Sequence, residues 1–223
     1  MEDLNSAIQK INSVEGWLRE QEKIFLYNHA KDHLPGNGVI VEIGSWKGKS
    51  TILMSLAIQE KEKITQGILR QELRYPLIFA IDPFGKPEGI EIKPQYNLWE
   101  QQGIYDHYEA FISNITQHKV NKFVIPIKDI SERAINVYKE KYNYPIRMLF
   151  IDGCHDREFV QKDFDLWSPL VINGGVIAFH DAWDKNTDFK ESAAIVAKNE
   201  LIDSPNYHNG QCQSIIYGYK ING

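Results

Sequence analysis

Short apolar runs alternate with amphipathic segments along most of the chain. Five runs are apolar at nearly every position, as expected for strands buried on both faces. They are Val39–Ile43, Leu77–Ile81, Phe123–Ile127, Met148–Ile151 and Val176–Phe179. Helical periodicity marks the stretches between them: Ser50–Ile58, Tyr105–His118, Ser131–Lys139 and Asp156–Val171. This alternation predicts an α/β fold with a doubly wound, mostly parallel sheet.

The two ends of the chain depart from this pattern. Residues from about Val14 to His33 have near-helical spacing, and the Leu34–Gly38 cluster ends them. We therefore expect an N-terminal helical extension over residues 1–35 and one domain over residues 36–223. Near the other end, Asn209-Gly210 predicts a hairpin turn leading into an antiparallel strand, Gln213–Lys220. Pro83–Asn97 is rich in Pro and Gly and predicts a long loop or lid.

Composition narrows the class of protein. The 223 residues are 43% hydrophobic and 25% charged, which is the balance of a folded globular chain. The net charge of −5, without blocks of like charge, argues against a nucleic-acid partner. Two cysteines in no framework spacing, an acidic N-terminus and the lack of any long apolar run predict a cytoplasmic protein without a membrane partner.

The residues after the first strand, from Gly44 to Ser50, allow several interpretations. The fingerprint of a dinucleotide-binding loop needs glycine where Trp46 stands, so the sequence disfavours dinucleotide binding. A phosphate-binding loop would use Gly48-Lys49-Ser50, but only three residues separate Gly44 from Gly48 instead of four. Because Asp152 ends an apolar strand as a magnesium aspartate would, an ATP-binding kinase or nucleotidase stays open as an alternative.

Several motifs in order carry a resemblance to a known family. Glu42-x-Gly44-x-x-x-Gly48 resembles the first motif of class I S-adenosylmethionine (SAM)-dependent methyltransferases. Further along, Phe150–His155, Asp163–Pro169 and Asn173–Asp181 resemble the family-24 methyltransferase domain, which is allied to metal-dependent small-molecule O-methyltransferases. The resemblance implies a seven-stranded Rossmann-like sheet, SAM as cofactor, a small-molecule acceptor and O-methylation (EC 2.1.1.-). A cofactor-binding module without transfer activity is the alternative outside catalysis.

The resemblance also implies which residues bind the cofactor. Glu42 and the glycine loop would shape the methionine end, Asp82 would bind the ribose, and Asp129 to Ser131 would hold the adenine. The implied cofactor-binding residues are Glu42, Gly44, Ser45, Gly48, Ser50, Asp82, Asp129, Ser131 and Asp152.

The relatives bind magnesium at positions that match Asp152, His180 and Asp181 here. His180 departs from the usual carboxylate, and imidazole favours softer first-row ions over magnesium. The alternative is that His180 and Asp181 hydrogen-bond each other and cap the strand. His155 matches the general base of the catechol-type relatives and would act with Asp152, although it could instead pair with Asp156 at a helix start.

A few further expectations concern side chains outside these motifs. Lys47 and Lys49 are read as solvated loop lysines, Trp17 as packing the first helix onto the sheet, and Asp163 and Asp165 as an exposed helix face. Four aromatic residues could wall an acceptor pocket: Tyr96, Trp99, Tyr105 and Tyr108. The acceptor itself, O- against N-methylation and the oligomeric state, with a homodimer among the alternatives, stay open.

Overall fold

The computed structural model describes residues 3–31, 38–64, 78–89, 106–183 and 192–221. Its helices, in chain order, are α1 (Leu4–Ile11), α2 (Glu20–Lys31), α3 (Lys49–Ile64), α4 (Tyr108–Gln117), α5 (Ser131–Lys141), α6 (Arg157–Trp167) and α7 (Ser192–Ala197). Its strands are β1 (Val39–Ile43), β2 (Ile78–Asp82), β3 (Val124–Lys128), β4 (Ile146–Ile151), β5 (Val171–Phe179), β6 (Tyr207–Cys212) and β7 (Ile215–Lys220).

Among the described residues, seven strands form one sheet in the order β3-β2-β1-β4-β5-β7-β6. The first five strands of that order are parallel, and β7 pairs antiparallel with both β5 and β6. The predicted fold class, a doubly wound and mostly parallel sheet with an antiparallel C-terminal hairpin, is confirmed.

Helices cover both faces of this sheet because each central strand is apolar on both sides. Alternate residues of β1 show this: Ile40 packs with α1 to α4, whereas Val39 and Val41 pack with α5, α6 and α7 on the other face. The helices α1 and α2 thus belong to the same apolar cluster as α3, on the Ile40 face of the sheet. The division into an extension and a domain stays a prediction. No helix among the described residues has the length and apolarity to cross a membrane.

The strand order reverses between β1 and β4, which are neighbours in the sheet although β2 and β3 lie between them in the chain. The carboxyl ends of β1 and β4 therefore diverge into connections on opposite sides, and a crevice opens there. Gly44 follows β1 and Asp152 follows β4. The fold places the candidate motifs at this crevice.

Two local predictions are wrong. The helix expected from about Val14 begins only at Glu20, and a separate helix, α1, precedes it in the chain. The hairpin turn lies at Gln213-Ser214, where Gln213 has a φ of 52°, and Asn209-Gly210 lies inside β6. The predicted loop lies outside the described residues beyond position 89, as do Tyr96, Trp99 and Tyr105.

Candidate active site

A cavity of about 370 Å³ opens at the reversal point of the strand order. Residues that follow β1, β2, β3, β4 and β5 all line it, among them Gly44, Asp82, Asp129, Asp152 and Asp181. Its volume lies at the lower end of the range for small-molecule and cofactor sites. The cavity is thus large enough for a ligand that reaches several strand ends at once.

The loop between β1 and α3 depends on two glycines with left-handed backbone. Gly44 and Gly48 both have a φ of 89°. A Cβ on Gly44 would lie 2.1 Å from the carbonyl oxygen of Asp152, and one on Gly48 would lie 3.1 Å from the Phe111 ring. Only glycine lets β1 continue into this loop while the end of β4 passes so closely.

Glu42 lies behind the loop and does not line the cavity. The carboxyl is fully buried on β1 and accepts a hydrogen bond from the Thr51 hydroxyl, with the hydroxyls of Ser50 and Ser45 beside it. Burial raises the pKa of Glu42 to about 7 in spite of these hydroxyls. Direct contact between Glu42 and a bound ligand is therefore not what the structure shows; the residue fastens the loop to α3.

This burial predicts a pH dependence of stability. The pKa of Glu42 rises from an ordinary 4.5 to about 7 on folding, so the native state holds a proton that the unfolded state releases. Stability should fall as pH rises from about 4.5 to 7 and level off above 7, with a total of about 3 kcal/mol at about 1.4 kcal/mol per pH unit. Glu42→Gln should remove this part of the slope.

Urea unfolding at pH 5 and pH 8 measures the effect. The variant should gain stability over the wild type at pH 8, and the exposed control Glu109→Gln should follow the wild-type pH curve. A Glu42→Gln curve parallel to that of the wild type would show that Glu42 is ionised in the native state.

Asp82 ends β2 and anchors two strained turns. Its carboxylate accepts hydrogen bonds from the backbone N–H of Trp46 at 2.8 Å and of Phe84 at 2.5 Å, and His107 lies 3.4 Å away. Trp46 and Phe84 have φ values of 47° and 52°, which are uncommon for bulky residues. Since each carboxylate oxygen carries two lone pairs, Asp82 can still accept from a ligand in the cavity.

At the end of β3, Asp129 and Ser131 line the cavity, and their role beside an adenine stays a prediction. Asp129 is held by Arg133, whereas the Ser131 hydroxyl donates to Asp163 on α6. The expectation that Asp163 lies on an exposed helix face is wrong: it is buried and lines the cavity, and burial raises its pKa to about 7. Asp165, two residues on, is exposed as expected.

Residues 12–19 connect α1 to α2 and are here called the roof loop. Four of them, residues 15–18, line the cavity. Glu15 pairs with Lys47 at 2.5 Å, and the Gly16 carbonyl accepts from the Lys49 amine at 3.1 Å. Trp17 lies 6.1 Å from the Trp46 ring and is 58% exposed, so it does not pack α2 onto the sheet as expected. The two lysines hold the roof loop and are not the solvated side chains that the sequence suggested.

A cluster of acidic groups surrounds His180 at the end of β5. The ring is 4% exposed, and its Nε2 lies 3.2 Å from Glu22 Oε2. Its Nδ1 lies 3.1 Å from Asp152 Oδ1 and 3.3 Å from Asp181 Oδ2. Among the described residues, Nδ1 nevertheless has no aligned hydrogen-bond partner. Nδ1 therefore faces two carboxylates at once.

The charges of the cluster are strongly coupled. Burial raises the pKa of Asp152, whereas His180 holds the pKa of Asp181 below its usual range in spite of burial. Burial lowers the pKa of His180, but the neighbouring charge of Asp152 raises it by more, well above its usual range. The charge on each of these side chains therefore depends on its neighbours in the cluster.

His155 lies at the exposed side of the same cluster. Its Nε2 is 3.6 Å from Asp181 Oδ2, and the side chain is 40% exposed. Ligand atoms of Asp152, His155 and Asp181 all lie within 4.8 Å of one another. Asp181 has a φ of 50°, a strained conformation of the kind found at functional sites. A molecule entering the cavity would meet His155 before the buried His180.

The structure brings most of the predicted site residues to one cavity. Seven predicted cofactor residues line it: Gly44, Ser45, Ser50, Asp82, Asp129, Ser131 and Asp152. Glu42 and Gly48 support the loop from outside the cavity lining. Sequence reasoning missed Glu22, Asp163 and the roof loop. Glu22 and Asp163 stand at helical spacing with buried apolar neighbours, a signal of burial that was available from the sequence.

The chain is similar to known proteins both in sequence and in fold. A family model described as "Methyltransferase domain" matches residues 41–182, more than half of the chain. An uncharacterized protein, R132, of Acanthamoeba polyphaga mimivirus is 28% identical over 147 residues, which cover 65% of this chain and 51% of the relative. The chain thus spans about half the length of that curated relative.

Solved structures with the same fold include two O-methyltransferases. NovP has 18% identity and a TM-score of 0.64, covering 91% of this chain and 80% of its own. TomG of Streptomyces achromogenes, involved in tomaymycin synthesis and solved with SAM, has 13% identity and a TM-score of 0.61, covering 100% and 92%. At these identities the likeness shows the fold.

Proposed function

We propose that this chain, which belongs to the methyltransferase-domain family and has the fold of class I SAM-dependent methyltransferases, transfers the methyl group of SAM to an oxygen of a small molecule. The observation that carries this proposal is one cavity with two kinds of lining. Its loops at β1, β2 and β3 suit a cofactor, and its acidic cluster with His155 suits an acceptor hydroxyl. The chemistry would occur where the two halves meet, at Asp152.

The cofactor half has a donor and acceptor set that fits SAM. The backbone around Gly44 and Ser45 would border the methionine end, and Asp82 would accept from the ribose hydroxyls with the lone pairs that Trp46 and Phe84 leave free. Asp129 and Ser131 would border the adenine. Trp46 is no obstacle because its side chain packs toward His107, with ring centroids 4.3 Å apart.

A divalent metal ion fits the acidic cluster. His180 Nδ1, Asp152 Oδ1 and Asp181 Oδ2 are the atoms that would hold the ion, since Nδ1 is buried without a hydrogen-bond partner between two carboxylates. One imidazole and two carboxylates favour manganese, iron or zinc over magnesium. When bound, such an ion supplies charge that lowers the pKa of an acceptor hydroxyl.

His155 is the proposed general base. It lies on the open side of the cluster, and Asp181, 3.6 Å away, would orient the ring and stabilise its charge after proton uptake. The free lone pair of a neutral imidazole can take the proton of a hydroxyl that lies beside it. A carboxylate oxygen of Asp152 lies within 4.8 Å of a ring nitrogen of His155, so both side chains would border the acceptor hydroxyl.

The transfer itself is an in-line displacement at carbon. A lone pair of the acceptor oxygen forms the new O–CH₃ bond, and the bond from that carbon to the sulfonium sulfur breaks, leaving neutral S-adenosylhomocysteine (SAH). The hydroxyl proton passes to His155. The remaining task of the protein is alignment and exclusion of water, which the roof loop performs from above the cavity.

Calorimetry of the purified protein with SAH tests this function. We expect micromolar binding of SAH and none of ATP–Mg²⁺, with cofactor binding that persists in EDTA because the cofactor half needs no metal. Clear ATP binding without SAH binding would overturn the proposal. SAH binding without methyl transfer to any acceptor in a broad screen would favour the non-catalytic module.

Lys49→Ala separates the phosphate-loop alternative from the methyltransferase. The amine of Lys49 bonds the Gly16 carbonyl at 3.1 Å, so its loss should loosen the roof loop and change SAH affinity by no more than a few fold. A phosphate-binding lysine would instead lose ATP binding altogether. Lys162→Ala, at an exposed pair with Glu132 and Glu158, is the matched control.

A further inference from the structure

Glu22 is the least expected member of the acidic cluster. It is fully buried in the first turn of α2, more than 120 residues before the other members in sequence. Its Oε1 accepts from the Ser214 hydroxyl at 2.6 Å and the Ser214 N–H at 3.0 Å. Its Oε2 accepts from the Arg19 N–H at 2.7 Å and faces His180 Nε2 at 3.2 Å. Four donors hold this carboxylate in one orientation.

Both carboxylate oxygens of Glu22 accept hydrogen bonds from backbone N–H groups, Oε1 from Ser214 and Oε2 from Arg19. A carboxylate oxygen that accepts in this way contacts the Nε2 of His180 as a donor, so the proton lies on Nε2. In the neutral ring with its proton on Nε2, the lone pair lies on Nδ1, which faces Asp152 and Asp181.

We infer that Glu22 is a positioning residue, which fixes the Nε2–H form of His180 and aims Nδ1 at a metal ion held with Asp152 and Asp181. This inference rests on the metal-assisted function proposed above. A carboxylate behind a ligating histidine orients the ring and strengthens the ligand, and losing it commonly costs about 10- to 100-fold in metal affinity. The same carboxylate holds the Arg19 N–H at the end of the roof loop, so roof and ion site share one anchor.

Glu60 provides a control for a purely structural role of Glu22, because both carboxylates are buried at α2. Glu60 is also a buried carboxylate bound to α2, where it accepts from the Tyr27 hydroxyl and pairs with Lys31 at 3.2 Å. It does not line the cavity. Glu60→Gln therefore removes a buried charge from the packing of α2 without touching His180.

The test is calorimetric titration of the full chain with Mn²⁺, with no cofactor or acceptor present. We expect Glu22→Gln to weaken Mn²⁺ binding about 10- to 100-fold, and Glu60→Gln to change it less than about twofold. Pulsed electron paramagnetic resonance of bound Mn²⁺ should show imidazole ¹⁴N coupling in the wild type, weakened in Glu22→Gln. Thermal unfolding checks that both variants are folded. If Glu22→Gln does not fold, Glu22→Asp replaces it in the titration, because it keeps the charge but moves it away from Nε2.

A double-mutant cycle decides whether Glu22 acts through His180. In a His180→Asn background, Glu22→Gln should have no further effect on Mn²⁺ affinity, because the ring that it orients is gone. Equal losses in both backgrounds, or equal Mn²⁺ affinity for Glu22→Gln and Glu60→Gln, would overturn the inference. Absence of Mn²⁺ binding by the wild type would also overturn it, whereas the function itself is judged separately by SAH binding.

Discussion

We expect His155→Ala to lower the rate of methyl transfer by about 10²- to 10⁴-fold, the usual contribution of a positioned general base. The ring is 40% exposed and packs no core, so its loss should leave the fold intact. SAH affinity should stay within about twofold of the wild type, because His155 faces the acceptor half of the cavity. The measurement is SAH release in the presence of an acceptor found by screening, over a range of pH.

The controls for this variant separate two roles. His208→Ala removes an exposed histidine of β6 and should leave the rate unchanged. If His155 is a metal ligand instead of a base, His155→Ala would weaken Mn²⁺ binding together with the rate. A rate equal to that of the wild type would place the base elsewhere in the cavity.

Gly44→Ala should disrupt both stability and cofactor binding. Its Cβ would lie 2.1 Å from the carbonyl oxygen of Asp152, and backbone atoms at that distance cannot be accommodated by a side-chain rotation. The ends of β1 and β4 would have to separate, and Asp152 would move with them. We expect a loss of about 3 kcal/mol or more in the free energy of unfolding, and SAH affinity at least about tenfold weaker.

Gly89→Ala is the matched control. Gly89 also has a left-handed backbone, with a φ of 74°, but a Cβ there would meet nothing within 4 Å. Gly89→Ala should lower the free energy of unfolding only by the cost of a left-handed backbone at alanine, about 1–2 kcal/mol, and leave SAH binding unchanged. If the two variants lose the same stability in urea unfolding, the close approach of β4 to Gly44 is not what the glycine provides.

Much of the fold followed from the sequence because buried parallel strands are apolar on both faces and so stand out. Val39–Ile43 matches β1 residue for residue, and the other predicted strands fall within a few residues of their bounds. The C-terminal hairpin turn was misplaced because Asn-Gly is a strong local turn signal. In the structure Gly210 instead gives room to the Tyr217 ring across β6 and β7, where a Cβ would lie 2.5 Å from it.

The site was harder to predict where burial depends on tertiary contacts. The helix expected from about Val14 begins only at Glu20, so the contact of the preceding residues with the cavity was not predicted, and Glu22 was overlooked although it lies within the expected helix. For Asp163 the helical spacing with Val160 and Phe164 indicated burial, but the Ser131 hydroxyl that accommodates the buried carboxyl is brought there only by the fold. No local pattern connects residues that meet only in the folded sheet.

The four contacts of Glu22 have a consequence for the order in which the chain can mature during synthesis. Its partner Ser214 is made 192 residues later. At translation rates of about 5–20 residues per second, this delay is about 10 to 40 s. Throughout that interval the first turn of α2 carries a carboxylate for which three of its four donors, on His180 and Ser214, do not yet exist, and burying it with the Arg19 N–H alone is costly. We therefore expect α2 to reach its final packing only after the last hairpin has been made, and a chain cut short before Ser214 to be more sensitive to proteases.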